Sequence, residues 1–376
     1  MKEKVRYISA DLLRGLVIII MIEVHVFNAF LLPELRQAGW FGVLNFINGL
    51  VAPSFLLVSG FAFQVSSGSK LDEMRKLGKT FWKKIGRIFQ IIIIGYALHL
   101  PYYSFTKIIN KSTLQQLQGF FAVDVLQCIG FGLLFLFLTR LLIKSDKVYH
   151  YFLIAALLLV MIVSPYIYKV DFNMYVHPTI GNYFNRLHGS LFPVFPWLNF
   201  LLAGGIFAKY FVDARERNEE EKFVKNSTIA GLAVLFLGHL FYSGLFPKTL
   251  TSILPNPVFF LERSGYILVL FYFCWLVDKK TNAKNSFIIY ESRESLLVYW
   301  LHLIIIYGVF WSGKSLANKI GMTMNVIEAI GATILLIALM ILAAKLWGWA
   351  KKKYPKYSSL FVKAAVTVLL FVFFIS

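Results

Sequence analysis

The chain has 376 residues, of which 58 % are hydrophobic, 17 % aromatic and only 15 % charged, with a net charge of +19. Mean hydropathy is +0.68. This excludes an ordinary soluble domain, and apolar runs near 20 residues read as transmembrane helices. The basic residues fall in short clusters between apolar runs, not in one patch, which argues against a nucleic-acid partner and for a protein seated in a lipid bilayer.

Eleven spans are predicted, at 12–32, 41–63, 88–105, 120–142, 150–168, 191–212, 227–246, 258–277, 295–311, 326–349 and 359–375. Helices satisfy the backbone over such runs in lipid, so the expected fold is all-α and polytopic, a single domain over residues 1–376. The segments that would face the cytoplasm hold 26 Lys and Arg, the alternate loops 8. That bias predicts a cytoplasmic N-terminus and, with eleven spans, a C-terminus outside. The N-terminal apolar stretch is too long for a cleavable signal, and no small-residue cleavage site follows it. Cys128 and Cys274 lie inside apolar runs and make no disulfide framework.

The stretch from residue 6 to residue 28, which enters the first span, carries Asp11, Arg14, Glu23 and His25. Titratable groups in a spanning helix are costly unless they have partners or water, so they call for an explanation. Arg14 and His25 are eleven residues apart, which places them on nearly one helix face, roughly 16 Å apart along the axis. A neutral imidazole near the middle of a membrane can take a proton from a hydroxyl or an amine. Asn28 lies one turn beyond it and is a candidate substrate contact. Arg14 is either a residue reaching phosphate headgroups or an anion clamp for a phosphorylated donor, with Asp11 pairing with its guanidinium in both readings. Glu23 points away from His25 and is either a second functional acid or a hydrogen-bonded packing residue.

Further along, Lys84 and Arg87 share a face at the start of the third span, as an anion site needs, although most basic clusters here only set topology. Ser59-Gly60-Phe61 reads as a close-packing site, as does Gly204-Gly205 in the sixth span. The ninth span carries Tyr299 and His302, the second intramembrane histidine, as cavity-lining or packed groups. There is no P-loop, no His-Glu-x-x-His and no Cys-x-x-Cys, so neither a nucleotide-driven pump nor a zinc enzyme is expected, and no metal site is assigned.

Taken together the motifs resemble a known family. Arg14-x10-His25 is similar to the Arg-x10-His signature of the acyltransferase-3 family of integral membrane acyltransferases. Residues 53–61 resemble its Phe-Phe-x-x-Ser-Gly-Phe stretch, Lys84-Ile85-Gly86-Arg87 its Arg-x-x-Arg motif with lysine first, and Ser295 to His302 its late Ser…Tyr…His helix. Asp11-Leu12-Leu13-Arg14-Gly15, Val125 to Gly130 and Phe195-Pro196-Trp197 resemble the sister group of heparan-α-glucosaminide N-acetyltransferase-like proteins. Those proteins carry a histidine in the loop after the first span. Residues 33–40 have none, so a transfer role would rest on His25.

The resemblance implies an acyltransferase that moves an acyl group, acetyl above all, from cytosolic acyl-CoA to a hydroxyl or amine of an extracytoplasmic glycan or glycolipid. Arg14, Lys84 and Arg87 would hold the phosphates of CoA, the donor substrate. His25 would act as general base or briefly carry the acyl group, and Asp11, which fixes the Arg14 guanidinium, is the second residue assigned to catalysis. Glu23, Asn28, Tyr299 and His302 would line the acceptor site. A bacterial plasma membrane is the expected location, and a homo-oligomer is left open. The alternative from another class is a proton-coupled transporter or flippase using Glu23, His25 and His302.

Overall fold

The computed structural model describes residues 6–68, 71–281, 286–308 and 314–376. Among these residues the fold is helical throughout, without a strand. Nineteen α-helices follow in order: α1 (Ile8–Phe30), α2 (Gly39–Asn48), α3 (Val51–Gly68), α4 (Leu71–Arg75), α5 (Lys79–Leu98), α6 (Phe105–Lys111), α7 (Leu114–Phe121), α8 (Val125–Leu142), α9 (Asp146–Ile167), α10 (Pro178–Gly181), α11 (Val194–Glu216), α12 (Glu220–Leu240), α13 (Lys248–Thr251), α14 (Pro257–Lys280), α15 (Phe287–Arg293), α16 (Ser295–Tyr307), α17 (Leu316–Ile320), α18 (Val326–Lys353) and α19 (Pro355–Ile375).

Among the described residues, eight stretches are long and apolar enough to cross a membrane by length and composition: Gly39–Gly68, Val125–Leu142, Asp146–Ile167, Val194–Glu216, Glu220–Leu245, Pro257–Lys280, Val326–Lys353 and Pro355–Ile375. The expected spans at 12–32, 88–105 and 295–311 are not among them. The first is α1, a 23-residue helix with 14 buried residues. The second lies in α5, which starts at Lys79 and takes Lys83, Lys84 and Arg87 into its first turns. The third is α16, whose 13 residues rise only about 20 Å, short of a hydrocarbon core of about 30 Å. Residues 309–311 of that expected span lie outside the described residues.

Two compact units divide the chain: Met1–Val51 with Ala97–Phe120 and Asp278–Ser376, and Ala52–Tyr96 with Phe121–Val277. In the first, α1 packs against α15, α16 and α18. It is apolar on nearly all sides, as a helix surrounded by others must be, and Leu13, Ile18 and Ile22 are fully buried. A Cβ on Gly15 would stand 2.3 Å from the Ile288 carbonyl oxygen, so the absent side chain sets how closely α1 meets α15. After α1 the chain forms a short parallel bridge, with Leu32 N–H donating to Met324 O (3.0 Å) and Met324 N–H to Phe30 O (2.8 Å). Arg36 then turns back and donates to the carbonyls of Phe27, Asn28 and Leu31 at 3.0–3.2 Å. A cation on the last carbonyls of a helix satisfies acceptors that the helix itself leaves open.

In the second unit α11 packs against α9, α8 and α12. It meets α3 through paired glycines: a Cβ on Gly60 would lie 1.9 Å from Leu201 O, and one on Gly204 would lie 1.9 Å from Leu57 O. Gly231 on α12 and Gly265 on α14 repeat the device at 3.0 and 2.8 Å from each other's carbonyls. Small residues that let backbones approach are how helices associate where lipid removes the hydrophobic drive. Arg75 of α4 donates to the carbonyls of Arg140, Leu141 and Ile143, closing the end of α8. Cys128 and Cys274 are buried free thiols.

The connection between α9 and α11 is a folded loop. Asn182 donates to Phe121 O, Asn185 to Ile167 O and Val170 O, and Ser190 to Asn182 O. His188 Nε2 donates to Asp171 Oδ1 at 2.7 Å and holds that carboxyl below the usual carboxylate range, helped by the Asn173 backbone N–H. A group depressed in this way adds stability that is complete above its ordinary value of 3.8 and is lost as pH falls through the lower folded value. Protection from amide hydrogen exchange across residues 171–188, taken relative to the intrinsic exchange rate at each pH, should therefore fall on acidification below about pH 4, and should lose that dependence in Asp171→Asn. Equal exchange rates in both proteins across this range would show that the pair does not hold the loop.

Candidate functional site

The site is built on α1 and on the helix that answers it late in the chain. His25 is half-buried on α1. Its Nδ1 lies 3.4 Å from the Tyr307 hydroxyl, and that same hydroxyl donates to the His25 backbone carbonyl at 3.3 Å. The His302 ring stands 5.2 Å from the His25 ring, centroid to centroid, and Tyr307 meets it edge-on at 5.7 Å. Tyr299 meets His302 edge-on at 6.0 Å. One turn separates Tyr299 from His302, so α16 presents both to one side. Tyr307 is the last residue of α16, and Gly308 stops the helix there with φ +69°. A Cβ on Gly308 would also stand 2.6 Å from Lys314 O, so glycine is required on both counts.

His302 has no exposed surface. Its Nδ1 is 2.7 Å from the Val298 carbonyl, which can only accept, so Nδ1 carries the proton. Nε2 then holds the lone pair and has no hydrogen-bond partner among the described residues. Glu23 is half-buried on another side of α1, near the Asn48 side chain at the end of α2. Asn28 is exposed, and its backbone carbonyl is held by Arg36.

A second cluster surrounds the first turns of α1. Asp11 accepts from Arg6 Nε (2.5 Å), faces Arg14 at 3.9 Å, and lies 3.5 Å from the Ser292 hydroxyl of α15. Ser9 donates to Asp278 at 2.9 Å. Asp11 is thus shared between two guanidinium groups and a hydroxyl. Between Arg14 and His25 on the same face lie Ile18 and Met21, 0 % and 3 % exposed. The two polar ends of α1 are therefore separated by packed apolar side chains.

Of the expected residues, the structure brings His25, His302 and Tyr299 together, and separately Asp11 and Arg14. Lys84 and Arg87 belong to the other unit. Lys84 donates to Ser66 (3.2 Å) and Ser67 (2.5 Å) at the end of α3 and lies over the Phe63 ring, while Arg87 is exposed and donates to Gln90. Tyr307, Asn48 and Ser292 were not singled out from the sequence. Tyr307 is 282 positions from His25, and no local pattern joins them. Among the described residues, no group of three His, Cys, Asp or Glu could hold a metal ion.

A protein family described as heparan-alpha-glucosaminide N-acetyltransferase, catalytic, matches residues 6–242, more than half of the chain. The match takes in Asp11, Arg14, His25, Lys84 and Arg87 and ends before Tyr299, His302 and Tyr307. No curated protein matches the chain.

Proposed function

Because the chain belongs to the heparan-alpha-glucosaminide N-acetyltransferase catalytic family, we propose that it moves an acetyl group from acetyl-CoA to a hydroxyl or amine of an extracytoplasmic glycan or glycolipid, in a bacterial plasma membrane. The observation that carries this reading is the His25 imidazole, held on a buried helix by Tyr307 and walled by His302. In the proposed step His25 takes the proton of the acceptor hydroxyl or amine as its oxygen or nitrogen attacks the thioester carbonyl carbon. The new C–O or C–N bond forms and the C–S bond breaks. The CoA sulfur leaves and recovers the proton from His25. Glu23, Asn28, Tyr299 and His302 are assigned to the surroundings of the acceptor.

Arg14 is the proposed contact for a phosphate of the donor, with Asp11 beside its guanidinium. Lys84 and Arg87 are proposed as further donor contacts on α5, where Arg87 is the more accessible of the two. The test is acetyl-CoA binding by purified protein in detergent. The wild type should bind, and Arg14→Ala should bind on the order of 10-fold more weakly, as expected for loss of one charge-assisted hydrogen bond. Lys84→Ala/Arg87→Ala, measured beside it, reports on α5. A well-folded wild type that binds no acetyl-CoA would overturn the proposal.

A further inference from the structure

We propose that Arg36 selects an acceptor that carries an oxyanion, a phosphate or a sulfate, close to the hydroxyl or amine that is acetylated. The proposal rests on the acceptor site assigned to the surroundings of His25. Its basis is a guanidinium that the protein uses through one nitrogen. Arg36 lies in the loop after α1 and folds back over the end of that helix. Its three contacts, to the carbonyls of Phe27, Asn28 and Leu31, all come from Nη2. A guanidinium has five N–H hydrogens in a fixed plane, two of them on Nη2. Nη1, with two more, has no hydrogen bond among the described residues, and Nε is buried without a partner. Closing the helix therefore accounts for Nη2 and leaves the rest of the donor set over.

Charge is left over as well. The carbonyl end of a helix carries roughly half a negative charge, which offsets only part of a full guanidinium charge. Carboxylates are at hand and are not used. Glu34 stands in the same turn and forms no ion pair with Arg36. Glu328 follows the bridge that joins Met324 to Leu32, but it accepts from the Asn325 backbone N–H at 2.8 Å and caps α18 instead. Location turns this spare cation into a means of selection. Asn28, whose carbonyl Arg36 holds, is exposed one turn beyond His25. The Tyr307 hydroxyl, 3.4 Å from the His25 ring, stands within the field of the same guanidinium. An oxyanion at Nη1 would gain charge-assisted hydrogen bonds and hold the rest of the acceptor beside the imidazole.

The test compares methyl α-glucosaminide with its 6-phosphate and its 6-sulfate, in phospholipid-free detergent, as acetyl acceptors and as ligands in equilibrium binding. The wild type should show a KM for either charged sugar about 10-fold below that for the parent sugar, as one charge-assisted contact provides. Arg36→Gln, whose amide can still donate to a helix carbonyl, should lose that preference with KM for acetyl-CoA unchanged. Arg36→Lys, which restores the charge, should recover part of it. A cap with no ligand role would weaken all three sugars alike in Arg36→Gln, and that result would overturn the proposal. A wild type that does not distinguish charged from parent sugar overturns it without any variant. So does a preference that vanishes when phosphatidylglycerol is added, because the oxyanion at Arg36 is then a lipid headgroup. If the wild type transfers no acetyl, equilibrium binding decides. Tighter binding of the charged sugars that is lost in Arg36→Gln would count against acetyl transfer and leave the Arg36 assignment standing, and equal binding would overturn it.

Discussion

A His25→Ala protein should fold, bind acetyl-CoA as the parent does, and transfer acetyl about 10²- to 10⁴-fold more slowly, the usual contribution of a positioned general base. Three features separate this outcome from simple unfolding. His25 is half-buried, so truncation does not open a closed apolar core. Alanine is the better helix former, which offsets part of any lost ring contact. Arg14, the proposed donor contact, is eleven residues away with Ile18 and Met21 packed between them, so the two ends of α1 should answer independently. The measurement is CoA thiol release with an α-glucosaminide acceptor, beside acetyl-CoA binding and a melting curve. A folded His25→Ala protein with full activity would remove His25 from the chemistry.

Gly204→Ala should be among the most damaging single changes in the chain. Its new methyl group would start 1.9 Å from the Leu57 carbonyl oxygen, and the opposing Gly60 stands in the same relation to Leu201 O. Both obstacles are backbone, so no rotamer change relieves them, and α3 and α11 must part along their contact. Overpacking of this kind costs about 1–3 kcal/mol where the structure can adapt, and more where it cannot. Loss of the close helix contact adds to that figure. The expected result is a protein recovered in low yield with a clearly lowered Tm. Gly42→Ala, where nothing lies within 4 Å of the added carbon, should melt like the parent. A Gly204→Ala protein that melts with the parent would mean that α3 and α11 separate freely.

Much of this was legible in the chain because it is local. Apolar runs gave the helical class, and charged residues inside one run pointed to α1. Small residues at Gly60 and Gly204 announced close packing, and Tyr299 and His302 stood out as polar rings within one apolar run. What was not legible depends on tertiary pairing. Arg36 and Arg75 entered the sequence reading only as counts of basic loop residues, yet each closes the carbonyl end of a helix. Composition is the same in both roles, and only the returning chain distinguishes them. Lys84 shares a face with Arg87, but its amine is committed to two serines of α3. The expected span at 88–105 lies in a helix that already starts at Lys79, because the basic residues before the apolar run are good helix formers. Tyr307 was overlooked because nothing in its neighbourhood differs from an ordinary membrane tyrosine. Its meaning comes from a contact with His25.

The glycine contacts also constrain how this sequence can change over generations. A clash between two side chains can be relieved by shrinking the partner, so such positions drift in pairs. Gly95 is nearer to that kind: an added carbon would meet the Gln127 amide at 2.8 Å and Leu126 Cβ at 3.1 Å, and a shorter residue at 127 would remove the nearer of the two contacts. Gly60 and Gly204 have no such escape, because what each opposes is the peptide backbone, which every amino acid carries. A substitution at either has no single compensating partner, and the two positions should stay fixed in descendants of this chain while Gly95 and Gln127 vary together.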